Sequence, residues 1–303
     1  MFEKQKEILR LCYTPYSIVS PFPFLAIIIF LLAYNLDRTS PFPIYSLFAG
    51  VLASLISNSA SNVWNHTNDL KEDIAQGKKN ALTMKMISYH SAILLSLFLY
   101  LISIITVLYI SIKVGRPVYL FFFIWAFFTW CYSDNIFLKK IFGFRLKNHY
   151  TGEFMTYIVT CPMYTLTIWL IYSNLSTAGL VLAVAFLFFG LSVVLLKDLK
   201  DISGDREAKL KTFGVVFPPS KLFYFSCIFL LLYYIVILNS VVLNIFSRGI
   251  LLIVIPFFYF IKNSFLHFNK KQWRIGAEDS IQIKRIVVTT YISIIILGTG
   301  SFI

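Results

Sequence analysis

The amino-acid sequence predicts an all-α integral membrane protein, a bundle of nine transmembrane helices built as one domain over residues 1–303. Three observations carry that reading. The chain is 58% hydrophobic and only 14% charged, whereas about a quarter of an ordinary soluble sequence is charged. Its mean hydropathy is +0.76. Its apolar residues also fall into long runs rather than alternating with polar ones, which suits hydrocarbon rather than water.

Runs of roughly 17–25 apolar residues, the length that crosses a bilayer, fall near 17–35, 44–63, 86–111, 117–133, 153–173, 177–196, 222–243, 249–265 and 286–302. Ahead of the first, Glu3 and Glu7 stand among Lys4, Lys6 and Arg10 without the small-residue cleavage site of a secretory signal. That segment is expected to be a short amphipathic helix on the membrane surface. The four cysteines, Cys12, Cys131, Cys161 and Cys227, are dispersed with no CxxC pair. They are read as inert thiols, neither a zinc site nor a disulfide framework.

The formal charge of +13 would suit nucleic acid, but its distribution favours topology. All of the 27 Lys and Arg except Arg38, Lys113, Arg116 and Arg248 lie in the N-terminal stretch or in the second, fourth, sixth and eighth loops. By the positive-inside rule the N-terminus is cytoplasmic and, with nine spans, the C-terminus outside. No nucleic-acid partner is expected. The 14 acids follow the same division, Asp37 alone excepted. The cytoplasmic connections, near 64–85, 134–152, 197–221 and 262–285, are long and polar; those opposite are short, as from Ser173 to Thr177. Short loops make neighbouring helices antiparallel, so the chemistry is expected on one face.

Two of the long connections resemble each other. Asn65-His-Thr-Asn-Asp69-Leu-Lys-Glu-Asp73 follows the second run, and Asp198-Leu-Lys-Asp201-Ile-Ser-Gly-Asp205 follows the sixth. Their shared four-residue step suggests an internal pseudo-repeat of about 1–150 and 151–303. On a helix, Asn65, Asp69 and Asp73 (i, i+4, i+8) share a face, as do Asp198, Asp201 and Asp205 (i, i+3, i+7). One such acid alone reads as a solvated helix end balanced by lysines. Two face-compatible sets at the boundary of one bundle read instead as a site, because clustered carboxylates beside apolar walls need a compensating cation. Mg²⁺ fits, as a hard ion often held by one or two carboxylates and substrate phosphates.

The same face carries donors for a diphosphate: Lys78 and Lys79 after the first stripe, Arg145 and Lys147 in the fourth loop, and Arg206, Lys209 and Lys211 after the second stripe. Arg145 and Lys147 are favoured among them, with Lys78 and Arg206 completing the diphosphate set.

These motifs resemble those of the UbiA superfamily of intramembrane prenyltransferases. The first corresponds to Asn65-x3-Asp69-x3-Asp73 and the second to Lys-Asp198-Leu-Lys-Asp201-Ile-Ser-Gly204-Asp205-Arg206, continuing through Lys211-Thr212. A third, Tyr132-Ser133 with Arg145-Leu146-Lys147 and Gly152-Glu153, resembles the segment before the family's fifth span. The second motif looks closest to the archaeal and menaquinone-type branches. The sequence departs from the pattern at His66, where an acid is common, at Thr14 before Pro15 in place of Arg, and at Lys209 in place of Gly.

The resemblance implies a central cavity opening sideways to lipid beneath cytoplasmic cap loops. It implies two Mg²⁺ ions held by Asn65, Asp69, Asp73, Asp198, Asp201 and Asp205, and a prenyl diphosphate, geranylgeranyl or similar, between the stripes. Departure of diphosphate would leave an allylic carbocation for capture by a lipid-soluble acceptor, either an aromatic or quinone precursor or a geranylgeranylglyceryl phosphate-type lipid. Tyr132, at the cytoplasmic end of its span, is the aromatic residue expected to face the cation. The alternative is a cation-coupled membrane transporter with acidic ion sites. Such sites usually lie at the bilayer midplane on broken helices, whereas these acids close spans on one side. A transferase of nucleotide-activated alcohols would carry a dense Asp-Gly…Ala-Arg…Gly…Asp…Asp motif, which this sequence lacks.

Overall fold

The computed structural model describes residues 2–13, 22–36, 44–75, 77–143, 145–276 and 279–303. The expectations for Thr14, Pro15, Asp37 and Arg38 lie outside these residues. Among them the chain forms helices joined by turns and loops, with one bridge between His149 and Lys211.

The helices are α1 Phe2–Cys12, α2 Phe22–Leu36, α3 Ile44–Asn68, α4 Leu70–Ala75, α5 Tyr89–Val114, α6 Val118–Ser133, α7 Leu138–Phe142, α8 Tyr150–Tyr172, α9 Thr177–Glu207, α10 Phe213–Val216 and α11 Pro219–Val242. Next come a 3₁₀ turn at Arg248–Ile253, α12 Val254–Phe260, a π segment at Ile261–Phe265, α13 Leu266–Lys270 and α14 Ser280–Thr299. Seven helical stretches among the described residues are long and apolar enough to cross a membrane, and α2 and α6 are shorter apolar helices where two further spans are expected. The protein is a multi-pass membrane protein.

Side-chain patterning shows the medium. On α5, Leu94, Phe98, Leu101, Ile105, Tyr109 and Ile112 are exposed at helical spacing, while Ser96, Ser103 and Ser111 are buried. Polar groups inward and apolar groups outward is the arrangement lipid selects. The buried hydroxyls find partners: Ser103 Oγ donates to Leu99 O at 2.8 Å, and Ser96 Oγ crosses to Ala60 O on α3 at 3.1 Å. Local signals set the ends. Ser88 caps α5 by accepting from Ser91 N–H at 3.0 Å, and Gly115 ends it at φ 65°; a left-handed residue there costs glycine little.

The helices form a ring. α2 packs on α3, α3 on α5, α5 on α6, α6 on α8, α8 on α9 and α9 on α11; the segment from Arg248 leads to α14, which returns to α2. α8 also touches α2 and α3 across the middle. Where the last spans meet, a Cβ on Gly249 would stand 2.3 Å from Gly300 O, so only glycine permits that crossing.

Two helices run past the expected membrane boundary. The second span, expected to stop near 63, continues to Asn68; the sixth, expected to stop near 196, continues to Glu207. Hydropathy ends where the apolar residues end, but backbone hydrogen bonding does not. α1 forms as expected and packs on α3.

Candidate active site

The first acidic stripe stays helical through its turn. Asp69 N–H donates to Asn65 O and Asp73 N–H to Asp69 O, both at 2.8 Å, carrying the path of α3 into α4. Asn65, Asp69 and Asp73 therefore keep the common face their spacing predicts. Asp69 is buried, accepting from Arg145 Nη1 at 2.9 Å and from Lys147 Nζ. Arg145, itself 3% exposed, also pairs with Glu72 and donates from Nε to Asn148 Oδ1 at 2.8 Å. Asp73 meets His66 Nδ1 at 2.8 Å, Asn80 Nδ2 at 3.2 Å and Lys78 Nζ at 3.3 Å. Asn65 Oδ1 accepts from Ser133 Oγ at 2.7 Å.

Burial pushes the Asp69 carboxyl up, but Lys147 and Arg145 outweigh it and hold the group below the usual carboxylate range. Asp73 behaves likewise: burial raises it, and His66 and Lys78 bring it below the ordinary value. A carboxyl whose pKa falls on folding stabilises the folded state fully above its unfolded value of about 3.9, and that stability is lost as pH falls through the folded value. Through Asp69 and Asp73, the thermal midpoint in detergent should therefore fall progressively as pH drops below about 4.

The second stripe lies on the extension of α9. Asp198 and Asp205 are buried and Asp201 half-buried. Thr212 Oγ1 donates to Asp205 Oδ2 at 2.7 Å, while Asp198 Oδ2 is buried with no hydrogen-bond partner. Two contacts bring the stripes together. α4 packs against α9. The loop bearing Arg145 and Lys147 is stitched to the chain beyond α9, where Lys211 N–H donates to Asn148 O at 2.9 Å and Tyr150 N–H to Lys211 O at 2.8 Å.

Beneath this cap lies a cavity of about 320 Å³. Asn65, His66, Lys78 and Ser133 stand at its polar end with Tyr132, Tyr157 and Lys197; Trp125, Tyr164, Phe186 and Phe189 wall the remainder. Asn62 and Asn58 extend the Asn65 stripe inward along α3, Asn58 being about 10 Å of helical rise from Asn65. Both amide atoms of Asn58 are buried without partners.

Of the residues expected at the site, Asn65, Lys78 and Tyr132 line the cavity directly; Asp69, Asp73, Arg145 and Lys147 form the ion-paired cap beside it. Asp198, Asp201 and Asp205 lie on the same side, on the helix that α4 touches. Arg206, Lys79, Lys209 and Lys211 are exposed, and none of them reaches the cavity lining. Lys197, Tyr157, Asn58, Asn62, Asn80 and Glu72 were not singled out by sequence. Asn58 and Asn62 were within reach, since with Asn65 they are spaced i, i+4, i+7 on one helix face. Lys197 was hidden among bases that topology alone accounts for.

The other face of α9 borders a second cavity of about 190 Å³, where Leu191, Val194 and Leu195 meet Phe213 of α10 and Phe217 just beyond it. Gly214 seats α10 here, because a Cβ on it would stand 2.6 Å from Asp198 O. Gly214→Ala should therefore force α10 off α9 and lower stability by about 1–3 kcal/mol. A thermal midpoint equal to that of the unaltered protein would contradict this close approach.

An aromatic-walled cavity within a multi-pass helix bundle, closed at the membrane surface by carboxylates, lysines and amides, suits an amphiphile with an anionic head and an apolar chain. The fold and site thus define an intramembrane protein with a cavity suited to a charged amphiphile. The chain belongs to the UbiA prenyltransferase family, whose sequence profile matches residues 25–277. A relative from Archaeoglobus fulgidus, an uncharacterized protein, is 30% identical over 297 residues, covering 96% of each chain. Among solved structures, one concerning digeranylgeranylglyceryl phosphate synthase in membranes is 18% identical, with a TM-score of 0.69 and 99% of both chains covered. A UbiA homologue from Archaeoglobus fulgidus bound to GPP and Mg²⁺ is 14% identical with a TM-score of 0.59, covering 95% of this chain and all of its own. At these identities the solved structures share the fold, and the family match makes the protein a membrane-embedded prenyltransferase.

Proposed function

We propose that the protein transfers an isoprenoid chain, geranylgeranyl or similar, from a prenyl diphosphate to a lipid-soluble acceptor, with Mg²⁺ as cofactor. The observation that carries this reading is one cavity joining both motif segments, with Asn65 and His66 of α3, Lys78 beyond α4 and Lys197 of α9 at its polar end. The acceptor class is an aromatic or quinone precursor or a geranylgeranylglyceryl phosphate-type lipid. The active face is cytoplasmic on the charge asymmetry of the loops.

The donor set fits Mg²⁺. The stripes offer oxygen ligands, and Asp198 Oδ2 is buried without a partner. Among the described residues no three acidic, His or Cys side chains converge to cage an ion, which agrees with an ion that completes its shell with substrate phosphate and water. Asn65, Asp69, Asp73, Asp198, Asp201 and Asp205 would hold two ions. When bound, Mg²⁺ neutralises negative charge on the departing diphosphate.

The chain's own residues supply the rest. Lys78 and Lys197 put positive charge at the polar end, where the diphosphate oxygens would sit. Arg145 and Lys147 hold Asp69 ionised and in place. The allylic C–O bond breaks with its electron pair leaving on the diphosphate. The acceptor nucleophile then forms the new bond to carbon and gives up its proton to the released diphosphate. Trp125, Phe186 and Phe189 keep bulk water from the cation.

The direct test supplies purified protein with Mg²⁺, radiolabelled geranylgeranyl diphosphate and a membrane lipid extract, followed by mass spectrometry of the lipid product. Diphosphate release with a prenylated lipid is expected, and chelation of the metal should stop it. Absence of turnover with every prenyl diphosphate and acceptor extract tried, from folded protein, would sink the proposal.

A further inference from the structure

Tyr132 is held from two directions by α8. Its hydroxyl donates to Glu153 Oε1 at 2.8 Å, and its ring meets Tyr157 edge to face, centroids 6.2 Å apart at 80°. Tyr132 and Tyr157 line the cavity, whereas Glu153 is 1% exposed and does not. Glu153 sits in the first turn of α8, and that turn is fixed by a close approach: a Cβ on Gly152 would stand 2.3 Å from Leu146 O. The second carboxyl oxygen, Oε2, is buried with no donor on it and has the Asp198 carboxyl for a neighbour. A buried carboxyl set beside another carboxyl, with one oxygen spent on a phenol, is costly as a mere brace.

We propose that Glu153 is a positioning residue for prenyl transfer: it draws the phenolic proton of Tyr132 away from the cavity, so that the ring and oxygen lone pairs face the developing allylic cation. This rests on the prenyl-transfer reading above. A cation over an aromatic face is attracted by the ring's quadrupole. A phenol that donates to a carboxyl is more electron-rich than an unpaired one, because hydrogen bonds in a low-dielectric interior polarise one another. A phenolic O–H turned toward the cation would instead present its positive end. Tyr157 prevents the ring from swinging away.

The test compares the unaltered protein with Glu153→Gln, Tyr132→Phe and the double variant, using Mg²⁺, geranylgeranyl diphosphate and membrane lipid extract. Readouts are kcat, KM for the diphosphate and thermal midpoint. Glutamine keeps an acceptor at the same reach, so midpoint and KM should hold while kcat falls about tenfold. Tyr132→Phe should lower kcat without raising KM, and the double variant should be no slower than Tyr132→Phe alone, because Glu153 acts through the hydroxyl. Unchanged kcat in Glu153→Gln, or losses that multiply in the double variant, would overturn the inference. If Glu153→Gln fails to fold, Tyr132→Phe decides it, and full kcat there overturns it. Inactive unaltered protein instead removes the prenyl-transfer reading, and this inference with it.

Discussion

Replacing Asp201 by alanine is expected to lower prenyl transfer by at least about a hundredfold while leaving the protein folded. The loss is of the size seen when a group stabilising transition-state charge is removed, about 10²–10³ in rate. The folding half of the expectation comes from the surroundings. Asp201 is half-buried on the α9 extension and, among the described residues, makes no ion pair. Its removal leaves Lys197, the cation it acts on, with Glu153 and Asp198 still beside it. Asp69 differs: Asp69→Ala should also abolish turnover, but it leaves Arg145 and Lys147 facing each other without their shared anion. Asp69→Asn, which keeps hydrogen-bond acceptance at Oδ1, is the cleaner variant. Rates with radiolabelled prenyl diphosphate, taken beside a thermal midpoint, separate the two effects. Full activity in Asp201→Ala would remove that carboxylate from the site.

Arg145→Ala carries the largest expected cost in stability, about 3–5 kcal/mol, the usual penalty for breaking one side of a buried ion pair. Arg145 is 3% exposed and bridges Asp69 and Glu72. Without it two carboxylates stand close together in a dry setting with Lys147 as the nearest remaining cation of the group. Arg145→Lys should recover little, because an ammonium cannot span both acids and Asn148 as the planar guanidinium does. Pairing Arg145→Ala with Asp69→Asn should recover part of the midpoint while activity stays lost. A midpoint within experimental error of the unaltered protein would show that this bridge does not hold the cap together.

The contrast between Arg145 and Arg206 shows how far the sequence could be read. Both were expected as diphosphate donors beside a motif, one in the fourth loop and one after the second acidic stripe. The structure buries Arg145 against Asp69 and leaves Arg206 exposed at the end of α9. Nothing in local spacing separates them, because an arginine's partner here lies 76 residues away. Asn58 and Asn62 are the opposite case. Their helical spacing with Asn65 was plain, but polar residues inside an apolar run could as well have packed against a neighbouring helix.

The sequence by itself determined the medium, the approximate spans and the membership of each acidic stripe. These follow from composition and from the fixed pitch of a helix, which needs no knowledge of neighbours. Tertiary structure alone decided that α4 lies against α9, that Arg145 and Lys147 neutralise Asp69, and that Lys197, Tyr132 and Tyr157 share one cavity. In lipid every helix can turn an apolar face outward at little cost, so hydropathy leaves the ring order open. The order is fixed instead by close glycine approaches, buried hydroxyls and paired charges between residues far apart in the chain.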